Sequence, residues 1–477
     1  MQGSKLLKIL KTLSDEEIRR FHKFIRSPYY SYKKHCVPFF EYVRKYHPEY
    51  TSGKLSKENV FHHLFPDRQF QSQKMRHVMT DLVNLLEEFL VAEQVQKRDF
   101  ERKKLLRDAY GQRDLYEYFE KSTEEITKEL DALPYRNSFY QYESMKNLDQ
   151  FFFHPSTKKH LVKENYLEQV DVHLDRFFEV AKLKLAAEMA ARSNILSKTY
   201  ETQYIDDILL KSKAREGIEL EIDLYGKARN LYVKEERDEF NAALEVFLLN
   251  AGKLHHNDKN LLFNHLLNFT IRKGNAGYPE YIKDSFKLYQ IGLSEKILLQ
   301  NNKMTDAAFT NICAAGVKLQ QFDWVADFID GYARFMDRGV RENAQTLCLA
   351  FLYYGKGEFE KTDQLISQFQ FTNPFYQVRG KLLSARALFE LFIQDESYYD
   401  LLISNLLAFS KYMQRNKTFG KHHKEVHLGF ISMMKLIANR KIKRQLDSSS
   451  KVRLKERIAS ETSITNRSWL ITKLELL

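Results

Sequence analysis

Between Pro155 and Pro279 the chain contains not one proline. Each β-hairpin needs turn chemistry supplied by Gly, Asn, Asp or Pro. The whole sequence carries 17 glycines and 8 prolines in 477 residues, well under the roughly 7% and 5% of an average chain. A sandwich, a barrel or an α/β sheet with ordinary loops cannot be built on so few turn-makers, so helix is expected nearly throughout. Hydrophobic residues at 43% and aromatics at 13% supply ample core and exclude global disorder.

Local signals divide the chain. Ser14-Asp15-Glu16-Glu17 has the form of a capping box, and Ser27-Pro28 stops the helix it opens. Met75, Val78, Met79, Leu82, Val83, Leu86, Phe89 and Leu90 recur at helical spacing with polar residues between them, which predicts an amphipathic helix over 75–90. Residues 1–97 therefore read as a small N-terminal helical domain and 98–235 as long antiparallel helices with short connections. Ser122-Thr123-Glu124-Glu125 offers a further capping-box pattern. Residues 236–445 read as repeats, and 446–477 as a basic segment with a capping helix in which Trp469 is buried, the alternative being an amphipathic peptide offered to a partner.

The repeats show as aromatics that follow polar turns: Phe240, Tyr281, Phe322, Phe359, and Tyr398 or Tyr399. Such fixed-period hairpins mark an α-solenoid, in which each hairpin buries its apolar face only by stacking on a neighbour. The segment 343–376, NAQTLCLAFLYYGKGEFEKTDQLISQFQFTNPFY, resembles a tetratricopeptide repeat. Ala350 takes the small-residue position, Tyr353 follows, Gly357 lies in the turn, Phe359 opens the second helix and Pro374 closes the motif. Thr362 and Phe369 depart from the small residues usual there. The expected class is thus all-α, a tetratricopeptide-like solenoid with an N-terminal helical domain. The resemblance implies a concave helix-lined surface and a protein or peptide ligand. The N-terminal patterns LSDEEIRRFHKFIRSPYY, LSKENVFHHLFP and MTDLVNLLEEFLVAE resemble uncharacterised helical proteins of Bacteroidota, which implies a bacterial cytoplasmic protein and no activity.

Catalytic signatures are missing. The sequence has no G-x-x-x-x-G-K-[ST], G-x-S-x-G or H-E-x-x-H, and no arginine lies five positions ahead of a histidine, as in one class of helical ribonuclease. Gly355-Lys356-Gly357 follows a helix and reads as a repeat turn. His423 and His427 in HHKEVH stand one helical turn apart, half of a zinc site at best. Acidic pairs such as Asp206-Asp207, and Glu219 with Glu221, read as surface charge. Cys36, Cys313 and Cys348 lie far apart in sequence, which argues for buried free thiols in a reducing cytosol. No metal or cofactor is expected. Nor is a transmembrane helix, for want of a long apolar run, and Met1–Leu13 lacks the pattern of a secretory signal.

The net charge of +12 is localised. Residues 411–457 hold 14 Lys or Arg against three acids, and the first 36 residues nine against three. Lys435, Arg440, Lys441, Lys443, Arg444, Lys451, Arg453, Lys455 and Arg457 are dense enough to neutralise phosphates. Two functions follow as expectations: a non-enzymatic scaffold that binds a protein or peptide in the repeat groove, or a nucleic-acid-binding solenoid that uses the basic C-terminal region.

Overall fold

The structure is a computed structural model that describes all residues except 31–32, 159–164, 197–198, 214–218 and 462–463. Among the described residues there is no strand, and 23 α-helices carry the chain. None of these helices is long and apolar enough to cross a membrane. The chain divides into two compact units, Met1–Phe178 and Glu179–Leu477.

The first unit contains α1 (Lys5–Leu10), α2 (Asp15–Arg26), α3 (Cys36–Val43), α4 (Lys57–Leu64), α5 (Ser72–Lys97), α6 (Asp99–Gly111), α7 (Tyr116–Asp131) and α8 (Ser138–Phe152). The capping box at the start of α2 forms, with Ser14 accepting from the Glu17 amide and Glu17 reaching back. Helices α1 to α4 all pack on α5, whose apolar stripe is buried from Met75 to Phe89. Phe21 of α2 lies between Phe40 and Phe89, at centroid distances of 4.7 and 5.3 Å. The Ser122–Glu125 pattern caps nothing, because it falls in the middle of α7. Thr123 donates instead to the carbonyl of Phe119, one turn back, at 2.8 Å.

Helix α9 (Tyr166–Leu196) crosses the division. The second unit continues with α10 (Ile205–Lys213), α11 (Leu220–Val233), α12 (Arg237–Asn250), α13 (His256–Asn275), α14 (Glu280–Ser294), α15 (Asp306–Lys318) and α16 (Phe322–Tyr332). It is completed by α17 (Arg338–Gly355), α18 (Phe359–Gln368), α19 (Pro374–Gln394), α20 (Tyr399–Arg415), α21 (Lys421–Ile442), α22 (Ser448–Ser460) and α23 (Arg467–Leu476). From α11 to α21 each helix packs on the next, and odd helices also pack together where α11 meets α13, α15 meets α17, and α17 meets α19. Phe240, Tyr281, Phe322, Phe359 and Tyr399 all fall in the first turn of an even helix.

The hairpin turns share a backbone shape. Asp114, Glu235, Gln320 and Gly357 have φ of 56°, 57°, 58° and 80°, and each stands two positions ahead of the next helix. In three of them the following amide closes the loop: Leu115 onto Tyr110 at 3.1 Å, Gln321 onto Gly316 at 2.9 Å, and Glu358 onto Tyr353 at 2.9 Å. This is a Schellman turn. The α6–α7 hairpin of the first unit therefore turns like α15–α16 and α17–α18.

Within 343–376, Ala350 is fully buried, while Tyr353 is half-buried with the Lys361 ammonium 5.9 Å from its ring centroid. Gly355 marks a close approach, since a Cβ there would lie 2.4 Å from Val317 Cγ1. Pro374 is the first residue of α19, where its missing N–H has no partner to lose. Thr362 is buried with its hydroxyl on the Glu358 carbonyl at 3.0 Å, and Phe369 packs edge-on against Phe371 at 4.9 Å.

A left-handed residue with a side chain costs about 1–2 kcal/mol relative to glycine. Gln320→Gly is therefore expected to raise, and Gly357→Ala to lower, the stability of the chain by about 1 kcal/mol. Urea denaturation midpoints measure both.

Candidate functional site

Helix α19 is apolar over most of its length, yet it carries Arg379, Arg386 and Glu390. Near its start, Tyr376 donates its hydroxyl to Asp306 of α15 at 2.9 Å, and Arg379 donates to Thr310 of α15 at 3.2 Å. The Arg379 guanidinium lies 5.6 Å from the ring centroid of Phe351 on α17. These side chains reach past α17 and tie the odd helices together.

Farther along α19, the odd-helix face meets the C-terminal helix. Trp469 Nε1 donates to the Tyr354 hydroxyl at 2.9 Å, and that hydroxyl donates to Glu390 Oε1 at 2.9 Å. Lys473 Nζ sits 2.8 Å from the same carboxylate oxygen. The Arg386 guanidinium lies over both the Tyr354 and Trp469 rings, at 4.7 and 5.1 Å, in range for cation–π attraction. Phe389 and Phe430 flank the indole at 5.6 and 6.0 Å. Leu470 and Leu474 are fully buried beside it. Trp469 is thus half-buried, where full burial was expected, because its polar edge is held by α17. Glu390 is 8% exposed, so its charge depends on the partners it keeps.

The nine basic residues serve several purposes. Lys441 caps the end of α19, with Nζ 3.1 Å from the Ile393 carbonyl, the place where a helix dipole favours a cation. Burial lowers its pKa. Arg444 holds Glu396 through both guanidinium nitrogens, at 3.2 and 3.3 Å. Arg440 donates to Ser450 at 2.7 Å, and Lys455 pairs with Glu475 at 2.5 Å. Arg453 donates to the Ser449 hydroxyl at 3.1 Å. Lys435, Lys443, Lys451 and Arg457 have no carboxylate within ion-pair distance among the described residues, and Lys443, Arg453 and Arg457 are exposed. About half of the basic run therefore fastens the fold.

His423 and His427 of HHKEVH stack face to face at 4.6 Å, and His427 Nδ1 bonds to the His423 carbonyl at 2.8 Å. Stacked rings do not converge their nitrogens on one ion. Among the described residues no group of three His, Cys, Asp or Glu gathers to hold a metal. Cys313 and Cys348, far apart in sequence, are both buried where α15 packs on α17, and each thiol feels the other. All three cysteines are free and buried. Burial pushes the Cys36 thiol up to about 12 and that of Cys313 well above its ordinary value, which suppresses thiolate chemistry. In the first unit, a cleft of about 410 Å³ brings together Asp108, Asp149, Gln150 and His154. Asp108 is engaged by the buried Arg107 at 2.7 Å, and His154 Nδ1 accepts from the Ser156 amide at 3.2 Å.

No family model, curated protein or solved structure matches the chain. Sequence reasoning singled out Trp469 but missed Tyr354, Arg386, Glu390 and Lys473. The available signal was a pair of charged residues four apart, Arg386 and Glu390, inside the apolar run of α19.

Burial pushes the Tyr354 phenol up to about 12, with the Glu390 carboxylate adding to the shift. Above its ordinary value of 10.0 the unfolded chain releases this proton while the folded chain holds it. The stability it contributes is complete below pH 10 and is lost as pH rises toward 12. Tyr354→Phe is expected to lower stability by about 1 kcal/mol at pH 8 and to flatten the decline between pH 10 and 12. Denaturant titrations across that range would show it.

Proposed function

We propose that this chain is a non-enzymatic scaffold whose helical hairpins stack as a tetratricopeptide-like solenoid, and whose odd-helix face binds a protein or peptide partner in the cytoplasm. The carrying observation is α23 itself. It lies on that face through an indole, an ammonium group and two leucines, all directed at α17, α19 and α21 or the core between them. A surface that accommodates one amphipathic helix has the chemistry for helix-in-groove recognition. Neighbour-on-neighbour packing from α11 to α21, with odd helices also meeting, supports the stacked arrangement. The test is capture of the tagged full chain from its own cells, with and without nuclease, followed by cross-linking mass spectrometry. A nuclease-resistant protein cross-linked to α15, α17, α19 or α21 is the expected result. Loss of all bound material with nuclease would overturn the reading.

A second reading, binding of nucleic acid at the basic end, is favoured by the exposed Lys443, Arg453 and Arg457, which have no carboxylate within ion-pair distance among the described residues. It predicts affinity that falls steeply with salt, by about 0.9 logarithmic units per tenfold salt for each phosphate neutralised on duplex DNA. Lys443→Glu with Arg453→Glu and Arg457→Glu should abolish that binding. Lys441 and Arg444 are unsuitable for this test because they fasten α21 to the end of α19. Fluorescence anisotropy with a duplex at two salt concentrations decides; a flat salt response ends this reading.

A further inference from the structure

We propose that Tyr354, Arg386, Phe389, Glu390 and Phe430 form a docking site for a partner helix in which a tryptophan is followed one turn later by a lysine. In this proposal α23 fills the site in cis as an exchangeable stand-in. The proposal rests on the repeat-face reading above and specifies the partner's chemistry.

The first support is the selectivity of the contacts. A helix that merely covers an apolar end needs only Leu470 and Leu474, which are fully buried. Here Trp469 also commits its single N–H to Tyr354, and Lys473 sets its ammonium on Glu390. A buried ion pair adds little net stability over a well-packed apolar pair. It does reject a helix that lacks the cation, because Glu390 would then lose its counter-charge in a site shielded from water. The spacing is matched on both sides: Trp469 and Lys473 are four apart, as are Arg386 and Glu390, so one turn of each helix faces one turn of the other.

The second support is how weakly α23 is held by its own sequence. It has ten residues, and its N-cap, Asn466, lies at φ 53° and ψ 36° with no side-chain bond to a helix amide. A helix this short does not persist in water without docking, and its N-cap gives the first turn no side-chain bond. Release costs these docking contacts together with the packing of α23 on α22 and the Lys455–Glu475 pair, and a partner segment with the same side chains at the same spacing restores the former.

The test uses a fluorescent peptide of residues 464–477 and the full-length chain, wild type and Trp469→Ala/Lys473→Ala. The peptide should bind the double variant at least tenfold more tightly than the wild type, whose own helix competes at high local concentration. A peptide with Lys473→Glu should bind at least tenfold more weakly, and Glu390→Gln in the host should erase that preference. Circular dichroism and thermal melting establish that each host is folded; Trp469→Phe/Lys473→Ala serves if the first variant is not. Equal affinity for both hosts, no binding to a folded variant, or indifference to the Lys473→Glu change would each overturn the proposal. A native partner cross-linked to the odd helices alongside failed exchange would sink the exchange alone. A partner that cross-links elsewhere would sink the repeat-face reading on which it stands.

Discussion

An amphipathic helix is stable in water only when another element covers its apolar stripe, and the second unit answers that requirement helix by helix. The odd helices carry the heaviest demand. Twelve residues of α19 are buried, more than one stripe can hold, so this helix must be covered on several sides. Its neighbours α18 and α20 supply part of the cover and α17 a further part, and α23 meets it at Phe389 and Glu390. Arg379, Arg386 and Glu390 are admitted into this environment because each is met by a hydroxyl, a ring or an opposite charge, without which its burial would be prohibitive.

What the sequence made legible was what it encodes locally. The capping box at Ser14, the stripe on α5, the helix starts at Phe322 and Phe359, and Pro374 at the head of α19 all depend on residues within a turn or two of each other. The turns at Asp114, Glu235 and Gln320 escaped notice because their left-handed backbone is imposed by the two helices they join, on residues that do not prefer it. The approach of Cys313 to Cys348 was hidden for a related reason. Periodicity identifies faces but does not say which faces meet. The terminal cluster is the extreme case, since Tyr354 and Trp469 are 115 positions apart and no local pattern links them.

The basic run illustrates the opposite error, in which density of charge suggested one role where the fold distributes several. Lys441 on the carbonyls of α19 and Arg444 on Glu396 act on the protein itself, and so does Arg440 on Ser450. Among the described residues Lys435, Lys443, Lys451, Arg453 and Arg457 have no carboxylate within ion-pair distance, and they define a smaller surface than the composition suggested. A high isoelectric point is therefore a poor guide to the number of charges free to meet a ligand.

The odd helices do not pack uniformly. α11 meets α13 and α15, α17 and α19 meet in series, while across the join between α13 and α15 the principal packing is that of α14 against α15. In a stack held by neighbour contacts, the place with fewest partners yields first under load or on warming. Within the run from α11 to α21 this is the thinnest join, and beyond it α15, α17 and α19 are fastened across their width by Tyr376 and Arg379. This run of helices thus has a preferred line of opening, and the helices on either side of it would exchange their amide protons at different rates.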